Sequence, residues 1–374
     1  MMAQAYAAHP QLRGLPPEEG RAIVEQVRAP LAHGGPIMAH TSEHRIETPH
    51  GSVGVRLYSP DVSEPPPVLI YMHGGGWVFF STNTHDRLMR EYAARAGCAV
   101  LGVEYSRAPE AKFPVALDET AAVARWAARE GGALGLRDDA IALGGDSAGA
   151  NLALAASLAL RDAGEARIVR GLLLNYGAFD DVYEHDAAQF DGPNFMLTRA
   201  EMDWFWAQYR PPAARSHPHV RPLIAELDGA PPTHLTIAAC DVLAEQNHRM
   251  AARLKAAGVE VSTQIYDGAT HSFLEAVSIS SLAARAIADG AAWLRAVFAR
   301  SVAHARERAT ATELKIITEN TSRGLGDDQG DGVSIRPSLW RGDHRRVGRA
   351  ARFCAAGRRP RGDGRRHYRH GPAP

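Results

Sequence analysis

Between residues 68 and 298 the chain alternates short continuous apolar runs with longer stretches whose apolar positions recur every three or four residues. The short runs are "VLIYMH" (68–73), "CAVLGVEY" (98–105), "AIALGGDS" (140–147), "VRGLLLNYG" (169–177), "THLTIAACD" (233–241) and "VEVSTQIYDG" (259–268). Runs of that length without a polar face predict strands buried on both sides. Helical spacing follows at 114–130, 148–164, 244–257 and 280–298. Strands alternating with helices predict an α/β fold, a mostly parallel central sheet flanked by helices. Upstream, "HRIETPH" and "VGVRLYSP" flank Gly51 at hairpin spacing. Residues 16–30, "PPEEGRAIVEQVRAP", predict a helix with proline at each end.

Two segments break the rhythm. Residues 182–222 stand where a crossover helix would be, and they carry Phe190, Phe195, Trp204, Phe205, Trp206 and Tyr209. Thr198 and Glu201 have capping-box spacing, so a helix is expected to start there. An aromatic helix beside a sheet could cover a pocket, or its rings could simply pack locally. The end of the chain, 301–374, turns rich in Arg, Gly and Pro without hydrophobic period, and disorder is expected. The expected organisation is therefore an N-terminal helical cap segment (1–45), an α/β domain (46–300) with a cap or lid insertion at 182–222, and a disordered tail (301–374).

Charge narrows the function classes. Of 42 Lys+Arg and 42 Asp+Glu, twelve Arg and two Asp fall in 336–374, which leaves 30 basic and 40 acidic residues in the rest. An acidic body argues against nucleic acid as a partner. No apolar run approaches a membrane span, and the N-terminus lacks the basic start and apolar core of a signal peptide. Cys98, Cys240 and Cys354 have no CxxC spacing, so neither a disulfide framework nor a metal site is expected, and the setting reads as cytoplasmic.

"GGDSAGAN" (144–151) contains G-x-S-x-G, placed after a predicted strand and at the head of a predicted helix. A serine hydroxyl is a weak nucleophile at neutral pH and needs a base and an exposed position. That strand-to-helix turn makes Ser147 the candidate nucleophile, with Asp146 expected to brace the turn. "YMHGGGWVFF" (71–80) supplies the complement: bare backbone N–H groups for the oxygen that turns negative in acyl transfer. Gly75 and Gly76, with Ala148, are the expected donors, and His73 and Gly74 are expected to support that loop. Among seventeen histidines, His271 lies in a loop after the last predicted strand and is the expected base. Asp241, ending the strand before it, is the expected orienting acid; Asp180, Asp181 and Glu245 are the other acids in that region. The order Ser, Asp, His along the chain is that of α/β-hydrolases.

On these residues the chain resembles the hormone-sensitive-lipase-like branch of the α/β-hydrolases, in particular its bacterial esterases and acetyl-hydrolases. The resemblance covers about residues 45–298 and is carried by "HGGGW", "EYSRAPEAKFPVALDE", "GDSAGAN", "CDVL" and "THSF". Val242 and Ser272 replace residues usual in the family, as does "EYSRAPE" for its "DYRLAPE". The resemblance implies a serine carboxylesterase acting on short acyl esters through an acyl-enzyme on Ser147, with Asp241 and His271 completing a triad and no cofactor. An N-acyl amidase or deacetylase would use the same groups. A catalytically silent small-ligand receptor is the reading from another class. The expected partner is a small-molecule acyl ester, with no nucleic acid or membrane, and with a homodimer left open.

Overall fold

Eight strands hydrogen-bond into one sheet in the order β1-β2-β4-β3-β5-β6-β7-β8 in the computed structural model. They are β1 (His40–Thr48), β2 (Gly51–Ser59), β3 (Val68–Met72), β4 (Ala99–Glu104), β5 (Ile141–Asp146), β6 (Val169–Asn175), β7 (Thr233–Cys240) and β8 (Val261–Thr270). Only β2 runs antiparallel to its neighbours, pairing β1 through the tight turn at Gly51 and pairing β4 on its other edge. From β4 to β8 every pairing is parallel. The structure describes residues 12–183 and 185–300, all within the first of two compact units, Met1–Ile316. The expected disorder of 301–374 concerns residues outside this set.

The apolar runs of β3 to β6 are continuous because both faces of the sheet are covered there. The edge strand β8, expected to be buried on both sides, is instead half-exposed, with Ile265 51% exposed. Along β3, Val68, Ile70 and Met72 enter one hydrophobic core, while Leu69 and Tyr71 enter a second on the opposite face. The first core is closed by α3 (Val115–Glu130), α4 (Ala148–Asp162) and α6 (Ala244–Ala256). The second is closed by α2 (Asp86–Ala96) and α7 (281–300). Within α7, Ala283, Ala286, Ile287, Ala291, Leu294 and Phe298 repeat at helical spacing and are all buried.

Two elements cover the C-terminal edge. One is α1 (Pro17–Ala32), which begins with proline at its first turn and continues through Pro30. The chain leaves it and enters β1 at His40, so the sheet begins inside the segment expected to be helical cap. The other is α5 (Arg199–Tyr209) in the 182–222 insertion. Thr198 caps it by accepting from the Glu201 N–H while the Glu201 carboxylate accepts from the Thr198 N–H, the reciprocal arrangement its spacing predicts. Helix α2 has no counterpart in the sequence expectations.

Strand order reverses between β3 and β5, because β4 lies on one side of β3 and β5 on the other. Loops leaving the carboxyl ends of two such strands diverge and leave a crevice, the usual ligand position in open α/β sheets. The glycine triplet leaves β3 and Ser147 leaves β5 at this point. No helix among the described residues is long and apolar enough to cross a membrane.

Candidate active site

Ser147 occupies φ +55°, ψ −118°, a strained backbone conformation for a residue with a side chain. Its N–H donates to the Asn175 carbonyl, which pins the turn to the end of β6. The turn closes tightly because the next helix packs almost against β3. A Cβ on Gly149 would lie 1.9 Å from the Met72 carbonyl oxygen, so no other residue fits there. The strain at one residue is thus held by packing around it.

Asp241 and His271 arrive from the ends of β7 and β8. His271 Nε2 lies 2.9 Å from Ser147 Oγ, and His271 Nδ1 lies 2.7 Å from Asp241 Oδ2. Because an ionised carboxylate only accepts, Nδ1 carries the proton and Nε2 faces the serine hydroxyl with its lone pair. The second Asp241 oxygen accepts the Leu243 N–H at 3.0 Å, fixing the carboxylate plane. The edge of Tyr176 packs on the His271 ring, with centroids 5.2 Å apart. All three residues are buried, Ser147 4%, Asp241 2% and His271 6% exposed, so the hydrogen-bonded line is shielded from bulk water. Asp180 and Asp181, the other acids near this region, are engaged by Arg221, and Asp181 also by Arg210.

The glycine loop faces Ser147 from the end of β3. Glycine was expected here to present bare backbone N–H groups to the oxyanion, and the structure adds a second reason for it. A Cβ would meet Asp146 Oδ2 at 2.4 Å from Gly74, the Phe79 carbonyl at 2.3 Å from Gly75, and the Phe205 ring at 2.2 Å from Gly76. Among the described residues, no protein acceptor takes the N–H of Gly75, Gly76 or Ala148. Ala148 also opens α4, whose N-terminal end carries positive potential.

His73 and Asp146 hold this loop from below. The His73 ring stacks on Tyr105, with centroids 4.3 Å apart, and its Nδ1–H donates to the Gly74 carbonyl at 2.8 Å. Burial drives its pKa down to about 4, so the ring is neutral near pH 7. Asp146 Oδ1 accepts from Tyr71 Oη at 3.0 Å and from the Gly74 N–H at 3.2 Å, tying elbow to glycine loop. Burial alone would raise the Asp146 pKa, but the His85 charge and the hydrogen bonds from His85 and Tyr71 hold it below the usual value. His85, 3.3 Å from Asp146 Oδ2, belongs to no motif read from the sequence. Its signal was the helical spacing of Leu88, Met89, Tyr92 and Ala96 just behind it.

Over the site, α5 lays an aromatic cover. Trp77 packs on Trp206 and stacks on Tyr209, both at 4.4 Å between centroids, and Phe79 meets Trp204 and the edge of Phe205 at 5.8 Å. The insertion therefore docks on the glycine loop itself.

Residues 69–275 match the model of a family described as having the alpha/beta hydrolase fold. An acetyl esterase of Salmonella typhi is 34% identical over 254 residues, covering 67% of this chain and 78% of that protein. A hyperthermophilic esterase from Pyrobaculum calidifontis superposes with a TM-score of 0.74 at 30% identity, over 79% of this chain and 96% of its own. A thermophilic carboxylesterase cloned from a metagenomic library gives 0.73 at 32% identity, over 76% and 98%.

Proposed function

Because the chain belongs to the hormone-sensitive-lipase-like esterase family of α/β-hydrolases, we propose that it hydrolyses short-chain carboxylic esters through an acyl-enzyme on Ser147. The observation that carries the reading is the continuous line Asp241–His271–Ser147, at 2.7 and 2.9 Å, ending at a strained, buried serine. As Ser147 Oγ attacks the ester carbonyl, His271 Nε2 takes its proton. Asp241 holds the correct tautomer and stabilises the imidazolium that results. The carbonyl oxygen becomes an oxyanion and accepts from the N–H groups of Gly75, Gly76 and Ala148, which have no protein acceptor to give up. Each such donor is worth about 3–4 kcal/mol in the transition state. His271 then gives its proton to the departing alkoxide, leaving the acyl group on Ser147. Water, deprotonated in turn by His271, attacks the acyl carbonyl and releases the acid. Every proton in the cycle moves through one imidazole, and no step calls for a cofactor.

A short acyl group is favoured by the half-buried ring of Phe205, which lies against Gly76 beside the oxyanion position. Cys98 and Cys240 carry free thiols, in keeping with the reducing, cytoplasmic setting we infer. Ser147→Ala should lower kcat for p-nitrophenyl acetate by about 10⁴-fold or more. In a series from acetate to decanoate, kcat/KM of the wild type should fall with chain length. Wild-type turnover in the serine variant would refute the acyl-enzyme, and a preference for decanoate would refute the short-chain reading.

A further inference from the structure

Behind the reacting line lies a second group of charges that the mechanism above does not use. Arg28 of α1, His85 at the head of α2, Asp146 of β5 and Glu275 just beyond His271 come together with side chains 3%, 0%, 1% and 2% exposed. The Arg28 guanidinium donates to Glu275 Oε2, and its plane also lies 4.5 Å from the Phe80 ring centre. His85 Nε2 points between two carboxylates, 3.3 Å from Asp146 Oδ2 and 3.7 Å from Glu275 Oε1. The ligand-type atoms of His85, Asp146 and Glu275 fall within 4.8 Å of one another, a spacing that suits a cation. Arg28 already places a guanidinium on that group, so these residues read as an ion cluster and not as metal ligands.

Hydrogen bonding fixes the state of His85. Thr84 Oγ1 donates to the Ser81 carbonyl at 2.8 Å and accepts the Ser81 N–H at 3.1 Å. Its single proton is spent, so toward His85 Nδ1, at 2.8 Å, it can only accept. Nδ1 therefore carries a hydrogen. Nε2 faces carboxylate oxygens alone, and a lone pair there would repel both of them, so it carries one too.

We propose that His85 is an imidazolium at neutral pH that binds Asp146 and Glu275 into one block and so acts as a positioning residue for the reaction. Asp146 is the residue before Ser147 and holds the Gly74 N–H, while Glu275 lies four residues after His271. One imidazolium thus links nucleophile turn, oxyanion loop and histidine loop. Arg28 extends the block to α1, which makes docking of the N-terminal helix part of the same arrangement. The inference rests on Ser147 and His271 being the reacting pair.

The groups facing His85 are Asp146 from β5, Glu275 from the turn after His271, Arg28 from α1 and the His73 ring, centroids 5.7 Å away, from the glycine loop. Burial disfavours the charge on His85, but Asp146 and Glu275 outweigh it and the pKa is raised. His73, neutral beside it, adds no competing positive charge near pH 7.

Nitrogen-15 NMR of the full chain, with histidine ring nitrogens labelled and His85 assigned by its loss in His85→Gln, tests the charge without reference to turnover. Both ring nitrogens of His85 should be protonated at pH 7, and Glu275→Gln should lower the pH at which the proton leaves. A neutral His85 at pH 7 overturns the proposal. In p-nitrophenyl acetate hydrolysis, His85→Gln should lower kcat by about tenfold or more with KM nearly unchanged. Adding Glu275→Gln, which removes one carboxylate with the cation, should recover about threefold of that loss. Wild-type kcat in His85→Gln, or no recovery in the double variant, also overturns it. Should His85→Gln fail to fold, His85 is assigned in the wild type through its ring-to-backbone correlations, and the NMR titration of wild type against Glu275→Gln decides alone. A fluorophosphonate that does not label wild-type Ser147 would instead refute the esterase reading while leaving the NMR result intact.

Discussion

His234 lies on β7, remote from the reacting line, with its ring 5.6 Å from Trp293 and Nδ1 3.0 Å from the Ser262 hydroxyl. Burial drives its pKa down to about 4, against a weaker upward pull from Asp289, and His73 behaves in the same way. An unfolded chain protonates these rings near the ordinary value of 6.5, whereas the folded chain resists until about pH 4. Between those limits the unfolded state binds more protons, so their stability contribution is complete above pH 6.5 and is lost as pH falls toward 4. The midpoint of thermal unfolding should therefore fall as pH is lowered from 7 to 5. His234→Gln should flatten that slope, each histidine contributing up to about 1.4 kcal/mol per pH unit. An unchanged slope in the variant would show that His234 binds protons equally in the folded and unfolded states. His85 has the opposite sign: its raised pKa gives a contribution complete below 6.5 and lost as pH rises through the folded value. At this scale the sequence was readable where chemistry is concentrated in a motif. It was silent where a partner comes from far along the chain, as with Arg28 and Glu275, 247 positions apart. Ser272 shows a milder limit: it sits at φ +59°, a conformation natural to glycine, and only the resemblance marked the position as unusual.

Helix α5 is where local pattern and function meet most closely. Its capping box was legible, as was its aromatic content, but whether the rings cover a pocket or pack among themselves depended on what lay beneath. In the structure they dock on Trp77 and Phe79, with Phe205 nearest the oxyanion loop. Replacing Phe205 by Ala leaves a ring-sized space beside Gly76, the side on which we place the acyl group. The ratio of kcat/KM for p-nitrophenyl hexanoate over acetate should rise by about fivefold or more. Stability should drop by only about 1–2 kcal/mol, less than for a fully buried ring. An unchanged ratio would move the acyl group to another wall. Helix α2 went unread although Leu88, Met89, Tyr92, Ala93 and Ala96 share one buried face and Gly97 closes it in the left-handed region. Charged residues hold much of its exposed face, and the strand "CAVLGVEY" follows with no polar interval. The cluster "STNT" (81–84) just before it is a turn signal, but it stands inside a tryptophan-led run that read as the end of the glycine loop. Missing α2 meant missing His85, which occupies its N-cap position.

Every group assigned to the reaction leaves the same edge of the sheet, from the ends of β3, β5, β7 and β8. The supports for that edge are also contained within residues 12–300. Arg21 of α1 donates to the Val78 and Ala108 carbonyls and pairs with Glu110, so the N-terminal helix is fastened beside the glycine loop. At the other end of the described chain, α7 buries Leu294 and Phe298 and completes the second core. Strand order, both cores, the cap helix and the proton path are all formed by residues 12–300. A chain ending after Ile316 should unfold at the same temperature as the full-length protein and hydrolyse p-nitrophenyl acetate with the same kcat/KM. The comparison is best made at low ionic strength, where removal of twelve Arg from 336–374 would most alter any long-range attraction of an anionic substrate. A loss of kcat with KM unchanged would mean that the tail supports the reacting line. A rise in KM that salt abolishes would mean that its charge steers substrate, and either result would place the segment within the working enzyme.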